Sequence, residues 1–174
     1  KFGTVVKSVD LSQRPFKLET SGGEIEAETV IIASGASHRH LGIENEAKLE
    51  NKGVTYCAAC DGALPMFRDK PLVVVGGGDS ACEEATFLTR FASKVTLIHR
   101  RDVFKASNIM YDRAANNDKI EIRTFRQVKE WKADENGLTG AVLEDPRDGS
   151  TEEISATGAF IAIGHKPITA FLGE

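Results

Sequence analysis

Residues 71–85 read PLVVVGGGDSACEEA, an apolar run that leads into three glycines and then into a helical pattern. Residues 72–75 have the length and the β-branched composition of a buried strand, and from Asp79 to Ala92 apolar residues recur on one face of a helix. A glycine-rich turn between a buried strand and a helix is typical of nucleotide-binding α/β folds. We therefore predict an α/β, Rossmann-like domain with a parallel sheet.

The turn fits the G-x-G-x-x-G/A pattern, whose six positions are Gly76, Gly77, Gly78, Asp79, Ser80 and Ala81. In this pattern the first glycine permits a tight turn, the second lets the backbone approach a pyrophosphate, and the small last residue lets the helix pack closely. The unpaired N–H groups of the helix start then face the anion. An ordinary strand–helix turn is the alternative, but the flanking strand and helix favour a dinucleotide site.

The residues after the next strand indicate which nucleotide binds. An NAD site places an acid about 20 residues beyond the turn to hold the ribose 2′-hydroxyl. This sequence instead has His99, Arg100 and Arg101 there, with Lys105 shortly after. A guanidinium pairs with a 2′-phosphate through two hydrogen bonds, whereas an acid would repel it. A solvated basic patch is the alternative, and we predict NADPH.

A cysteine pair lies about 20 residues before the turn, in the stretch CAACDG at 57–62. Two intervening residues in a helical turn bring the sulfurs of Cys57 and Cys60 within bonding reach. Thiol–disulfide exchange needs one thiolate to attack and another to leave, and the adjacent Asp61 is a candidate proton shuttle. An inert buried pair and half of a zinc site are the alternatives. Zinc requires four ligands, and no second pair has ligand spacing, so we predict no metal.

Nicotinamide delivers two electrons as a hydride, which a disulfide accepts poorly without a flavin between them. We therefore expect FAD as a second cofactor, although these 174 residues contain only one glycine fingerprint. The net charge of −4 argues against a nucleic-acid partner. No apolar run approaches the ~20 residues of a membrane span, so we also expect no membrane partner.

The ends of the sequence indicate a second domain. The first 35 residues alternate as a β-meander, and two apolar strands at 30–33 and 160–163 are each followed closely by glycine. These two junctions bracket the middle of the chain, which suggests a domain inserted into another. Within the middle, we expect one strand at 120–133 to pair with 138–143 around an Asn-Gly turn.

The three motifs, CAACDG, VGGGDSACEEA and HRRD, together with the junctions IIASGA and AIGHKP, resemble the low-molecular-weight NADPH-dependent thioredoxin reductases. The resemblance covers essentially the whole chain. It implies residues 1–37 as a partial FAD-binding domain, 38–158 as an inserted NADPH-binding domain with the redox disulfide, and 159–174 as the return strand into the FAD-binding domain. The family's FAD fingerprint and C-terminal FAD segment are absent, so the sequence is expected to be the middle of a longer protein.

The resemblance also implies roles for individual residues. Cys60 resembles the cysteine that faces the flavin, Cys57 the one that exchanges with thioredoxin, and Asp61 the general acid. Further contacts implied in this way are Ile163 and Gly164 with NADPH, and Ala33, Ser34 and Gly35 with FAD. Lys105 departs from the family, which usually has an arginine there, so its contact with the 2′-phosphate would be a point charge.

The family is usually a cytoplasmic homodimer, and we take both properties as expectations from the resemblance. Two alternatives remain beside a thioredoxin reductase. One is the reductase component of an alkyl hydroperoxide system, which shares this scaffold and a C-x-x-C pair. The other is an isolated NADPH-binding module without turnover.

Overall fold

The computed structural model describes residues 2–173, in which it contains thirteen strands and four α-helices. The strands are β1 (Val6–Asp10), β2 (Phe16–Thr20), β3 (Gly23–Ala27), β4 (Ala36–His38), β5 (Val54–Thr55), β6 (Pro71–Gly76), β7 (Lys94–Ile98), β8 (Ile120–Arg123), β9 (Gln127–Asp134), β10 (Gly137–Glu144), β11 (Thr151–Ser155), β12 (Gly158–Ala162) and β13 (His165–Pro167). The α-helices are α1 (Glu46–Leu49), α2 (Ala58–Asp61), α3 (Asp79–Leu88) and α4 (Asn108–Ala115), and 3₁₀ helices span Pro65–Phe67 and Ala170–Leu172.

The chain divides into two compact units. The central unit is His38–Gly164, and the terminal unit combines the residues up to Ser37 with those from His165 onward. The sequence predicts the second boundary between 158 and 159, with the following strand in the flanking domain. The structure differs, because β12 is hydrogen-bonded between β5 and β6 and therefore belongs to the sheet of the central unit.

The central unit is built on a parallel sheet with the strand order β5-β12-β6-β7-β8, which confirms the predicted α/β fold. Because side chains alternate along a strand, Leu72 and Val74 of β6 pack on one face, and Val73 and Val75 pack on the other. The first face is covered by the buried side of α3. The second is covered by side chains of the antiparallel sheet β11-β10-β9, including the fully buried Trp131.

The predicted strand at 120–133 is wrong, because the structure breaks it in two. β8 joins the parallel sheet, whereas β9 starts the antiparallel sheet, and Phe125 between them has a φ of 49°. A positive φ cannot continue a strand, and it turns the chain from one sheet to the other. No glycine or proline stands at the break, so the sequence does not mark it. The predicted hairpin between β9 and β10 is confirmed.

The terminal unit contains the predicted β-meander, with the order β1-β2-β3, and the short pair β4 and β13. The buried strand predicted at 30–33 is wrong, since these residues lie outside every described strand and Ile31 is 93% exposed. A buried apolar strand needs neighbouring strands that form hydrogen bonds with its backbone and elements that cover its side chains. No described strand pairs with residues 30–33. Within residues 2–173, no helix combines the length and the apolar character that crossing a bilayer requires.

Candidate functional site

The glycine turn connects the end of β6 to the start of α3, at the carboxyl edge of the parallel sheet. A Cβ atom on Gly76 would collide with the carbonyl oxygen of Ala162 and would lie 2.7 Å from the Cβ of Ala81. The first glycine is therefore required by the close packing of β12 and α3 rather than by an unusual backbone angle. The same contact explains why a small residue stands at position 81.

The other two glycines differ in what surrounds them. A Cβ atom on Gly77 would collide with the imidazole ring of His99, whereas a Cβ on Gly78 would meet no heavy atom within 4 Å. Gly78 thus opens onto free space at the beginning of α3, where the first backbone N–H groups have no carbonyl of an earlier turn to bond. This is a cradle that an anion can enter and that a larger side chain would fill.

A cleft of about 790 Å³ lies in front of this cradle. It brings together most of the residues that the sequence predicted as the NADPH site, namely Gly76, Gly77, Gly78, Ser80, His99, Arg100, Arg101, Lys105, Ile163 and Gly164. Asp79 and Ala81 do not line it. Ala81 is fully buried on the inner face of α3, and Asp79 contacts a neighbouring loop instead.

The cleft carries positive charge and no carboxylate among its described lining residues. Arg39, Arg100, Arg101 and Lys105 form no ion pair with any residue between 2 and 173, so their charges are available to a ligand. Burial lowers the pKa of His99, and the nearby charges of Arg100 and Arg101 act in the same direction. The donor set fits an anionic dinucleotide with an additional phosphate.

Sequence reasoning missed several lining residues, of which Arg39 and Arg126 are the charged ones. Arg126 follows the carboxyl end of β8, where ligands of parallel sheets bind. It could have been found if residues 120–133 had not been interpreted as one strand. Arg39 had no comparable signal: its backbone N–H donates to the Gly164 carbonyl at 3.1 Å, a pairing between residues far apart in the sequence.

The second candidate site is the cysteine pair, and the predicted proximity is confirmed by a disulfide bond between Cys57 and Cys60. Cys57 precedes α2, and its sulfur accepts a hydrogen bond from the Cys60 N–H at 3.2 Å. Cys60 is exposed and Cys57 half-buried, so the bond is accessible at one end of the helix. Asp61 accepts a hydrogen bond from the Thr55 hydroxyl at the end of β5. None of these residues lines the nucleotide cleft.

Helix α2 packs on α3, which links the disulfide to the helix that begins at the cradle. A Cβ atom on Gly62, which follows α2, would lie 2.7 Å from Leu88 Cδ2, so glycine permits this approach. Glu84 of α3 lies beside α2, and its Oε2 atom is buried without a hydrogen-bond partner among the described residues. Burial raises the pKa of Glu84 to about 7, although a hydrogen bond from the Ala58 N–H opposes the rise.

The residues predicted to touch FAD lie in the terminal unit. Ala33 and Gly35 are exposed, Ser34 is half-buried, and all three lie outside the described strands. Gly35 has a φ of 72°, a conformation that favours glycine, and a Cβ there would meet nothing within 4 Å. The backbone at this position is open to a ligand, but the described residues contain no second glycine-rich turn between a strand and a helix.

The sequence matches the family described as pyridine nucleotide-disulphide oxidoreductase over residues 2–174. It is 47% identical to thioredoxin reductase 2 of Arabidopsis thaliana, over 99% of this chain and 48% of the relative. It is 46% identical to the thioredoxin reductase of Debaryomyces hansenii, over 100% of this chain and 57% of the relative. The chain thus spans about half the length of the curated relatives it matches.

Solved structures show the same similarity in three dimensions. The thioredoxin reductase from Giardia duodenalis superimposes with a TM-score of 0.89 at 41% identity, covering 98% of this chain and 55% of that one. The Lactococcus lactis thioredoxin reductase superimposes with a TM-score of 0.86 at 37% identity, covering 97% of this chain and 55% of that one.

Proposed function

Because the chain belongs to the pyridine nucleotide-disulphide oxidoreductase family, we propose that it is the central part of an NADPH-dependent thioredoxin reductase. The observation that carries the proposal is that the central unit holds both an anion-accepting cleft and a redox-capable disulfide. The named relatives are thioredoxin reductases, so the alkyl hydroperoxide alternative is not favoured.

In this proposal the cleft binds NADPH. The pyrophosphate is placed against the Gly78 cradle and the start of α3, and the 2′-phosphate against Arg100, Arg101 and Lys105. Ile163 and Gly164 line the same cleft and would border the rest of the nucleotide. The arrangement is supported by the lack of carboxylates in the described lining, since a carboxylate would repel both phosphates.

FAD is proposed as the second cofactor of the longer protein, with Ala33, Ser34 and Gly35 among its contacts. When bound, the flavin would accept the two electrons of the nicotinamide hydride and make them available to the disulfide. The open backbone at Gly35 supports a contact there. The pyrophosphate of FAD needs a second glycine-rich turn, and we propose that this turn lies in the half of the protein that the chain does not span.

The cysteine pair then performs thiol–disulfide exchange. In the reduced pair, the Cys57 thiolate attacks one sulfur of the thioredoxin disulfide, and the other thioredoxin sulfur leaves and takes up a proton. The Cys60 thiolate next attacks Cys57 in the mixed disulfide, which releases the second thioredoxin thiol and re-forms the Cys57–Cys60 bond. Asp61 is proposed to move the protons, and the Thr55 hydroxyl holds its carboxylate beside the pair.

The proposal extends to the assembly and the compartment of the longer protein. The family resemblance supports a homodimer in the cytoplasm. It also supports residues 1–37 as part of the FAD-binding domain, and we propose that the chain returns into that domain at His165, where the terminal unit resumes.

The test uses the full-length protein with its flavin bound. We expect Cys57→Ser and Cys60→Ser each to abolish thioredoxin reduction, because a single thiol cannot both attack and resolve a mixed disulfide. Stopped-flow absorbance should still show NADPH bleaching the flavin at close to the wild-type rate. Cys82→Ala is the matched control, since Cys82 is buried in α3 and is not part of the disulfide, and it should retain both reactions. Thioredoxin turnover by either serine variant would refute the assignment.

A further inference from the structure

Asp79 occupies a position that is unfavourable for binding an anion. It is the first residue of α3, directly after the Gly78 cradle, and it carries a negative charge where the proposed ligand carries phosphates. A carboxylate beside a phosphate costs binding energy through charge repulsion. The side chain does not line the cleft, whereas the next residue, Ser80, does. Its role therefore lies elsewhere than in contacting the nucleotide.

The contacts of Asp79 point away from the cleft. Its Oδ1 accepts two hydrogen bonds from Ser107, one from the backbone N–H at 2.6 Å and one from the hydroxyl at 3.0 Å. Ser107 is the N-cap of α4, but its hydroxyl does not cap its own helix. A serine at this position normally bonds an N–H of its own first turn. Here the hydroxyl is used instead to connect the start of α4 to the start of α3.

The chain between Arg100 and Ser107 is held against the glycine turn at further points. The backbone N–H groups of Lys105 and Ala106 donate to the Gly77 carbonyl at 2.7 and 3.2 Å. Nε2 of His99 lies 3.1 Å from the Val103 carbonyl. This basic loop, residues 100–107, thus has its shape fixed by the same turn that forms the cradle, and the Asp79–Ser107 contact closes its far end.

We propose that Asp79 and Ser107 are positioning residues that set the preference for NADPH over NADH. They hold the basic loop so that Arg100, Arg101 and Lys105 converge where the 2′-phosphate lies, and they do not touch the nucleotide. This inference rests on the proposed NADPH site. This role explains why an acidic residue stands beside an anion-binding cleft. The Asp79 carboxylate accepts two hydrogen bonds from Ser107, and these contacts hold the loop that carries the three cationic side chains.

The test measures nucleotide binding directly, by the fluorescence of NADPH and NADH titrated with the 174-residue chain. We expect Asp79→Ala to raise the Kd for NADPH by about 5- to 30-fold, less than the full cost of a hydrogen bond to a charged acceptor because the contact acts on the nucleotide only through the loop. The Kd for NADH should change less than about twofold, because NADH has no 2′-phosphate for the loop to hold. Asp79→Asn keeps an acceptor oxygen and should retain the wild-type preference.

Ser107→Ala is the second variant, and it removes the hydroxyl while keeping the backbone N–H donor. We expect a smaller loss of NADPH affinity, about two- to fivefold, with α4 unchanged by circular dichroism because this hydroxyl does not cap the helix. Asp148→Ala is the control for charge removal, since Asp148 accepts a hydrogen bond in a turn and does not line the cleft.

Equal losses for NADPH and NADH, or no change in their ratio for Asp79→Ala, would overturn the inference while leaving the proposed function intact. Loss of preference in Asp79→Asn would also overturn it, because the charge rather than the contact would then be responsible. If the wild-type chain binds neither nucleotide, the proposed function fails and this inference fails with it.

Discussion

The central unit and the terminal unit bury their side chains to very different extents. Every buried hydrophobic residue of the described chain lies between Leu49 and Ile161, within the central unit. In the described part of the terminal unit only Thr20 is buried, while Val5 is 65% and Ile31 93% exposed. The β-meander thus has no fully buried hydrophobic side chain, whereas the cleft and the disulfide are both built on the unit that has a core. Sites that require fixed geometry need such a packed support.

The largest expected effect tests this difference in stability. Phe160 in β12 is fully buried and contacts Phe67 with ring centroids 5.1 Å apart. We expect Phe160→Ala to lower the free energy of unfolding by about 3–5 kcal/mol, because it leaves a cavity in the core. Ile31→Ala in the terminal unit is the matched control and should change it by about 0.5 kcal/mol or less. Urea denaturation measures both, followed by far-UV circular dichroism for the whole chain and by the fluorescence of the buried Trp131 for the central unit. Similar losses for the two variants would contradict the comparison.

The elements of the central unit were the most predictable from the sequence. Residues 71–92 predict a buried strand, three glycines and an amphipathic helix from local signals, and the structure has them as β6 and α3, although α3 ends at Leu88 rather than at Ala92. The cysteine pair also has a local signal in the sequence, since the spacing of the two residues brings their sulfurs together. Where the signal depended on distant partners, prediction failed. The strand at 30–33 was expected from its apolar residues, but a strand also needs neighbours, which the sequence pattern does not contain.

In the candidate site, too, features with a local sequence signal were predicted and features that depend on distant residues were not. The predicted glycines and basic residues line one cleft because they follow consecutive parallel strands, whose carboxyl ends meet at one edge. Arg126 was not predicted because a single positive φ at Phe125 separates β8 from β9, and no glycine or proline marks this position in the sequence. The Asp79–Ser107 contact was also beyond the sequence, since the two residues are 28 positions apart and neither belongs to the other's motif.

A second prediction tests whether nucleotide binding belongs to the central unit alone. Arg100→Ala should raise the Kd for NADPH by about tenfold to a hundredfold, because a charge-assisted contact with the 2′-phosphate contributes about 1.5–3 kcal/mol. Isothermal titration calorimetry measures this change, and NADH should be affected much less. Arg14→Ala, an arginine of the terminal unit that lies over the Phe16 ring, is the matched control and should bind NADPH as the wild type does. Equal losses for NADPH and NADH would show that Arg100 supports the fold or the pyrophosphate.

The smallest expected effect is a difference between the two units in how a titratable residue makes the stability depend on pH. In the central unit, burial raises the pKa of Glu84 to about 7 from an ordinary value of 4.5, with the Ala58 N–H opposing and the Glu83 charge adding to the rise. In the terminal unit, hydrogen bonds from Ser12 hold the pKa of Asp10 below its usual range. Between pH 4.5 and 7 the folded protein keeps a proton on Glu84 that the unfolded chain has lost. Stability therefore falls as the pH rises through this window, and the full cost is present above pH 7.

Glu84→Gln removes the charge while keeping the shape of the side chain. We expect the variant to be more stable than the wild type at pH 8 by about 1–2 kcal/mol, a value reduced for the partial exposure of Glu84 to solvent. The difference should shrink towards zero near pH 5, where the folded wild type has Glu84 protonated. For Asp10→Asn the difference from the wild type should stay constant between pH 5 and 8, because Asp10 is ionised throughout that range in both states. Thermal unfolding across this pH range tests both variants. A stability difference for Glu84→Gln that does not vary with pH would show that the pKa of Glu84 is the same in the folded and unfolded protein, as it would be if water reached its carboxylate.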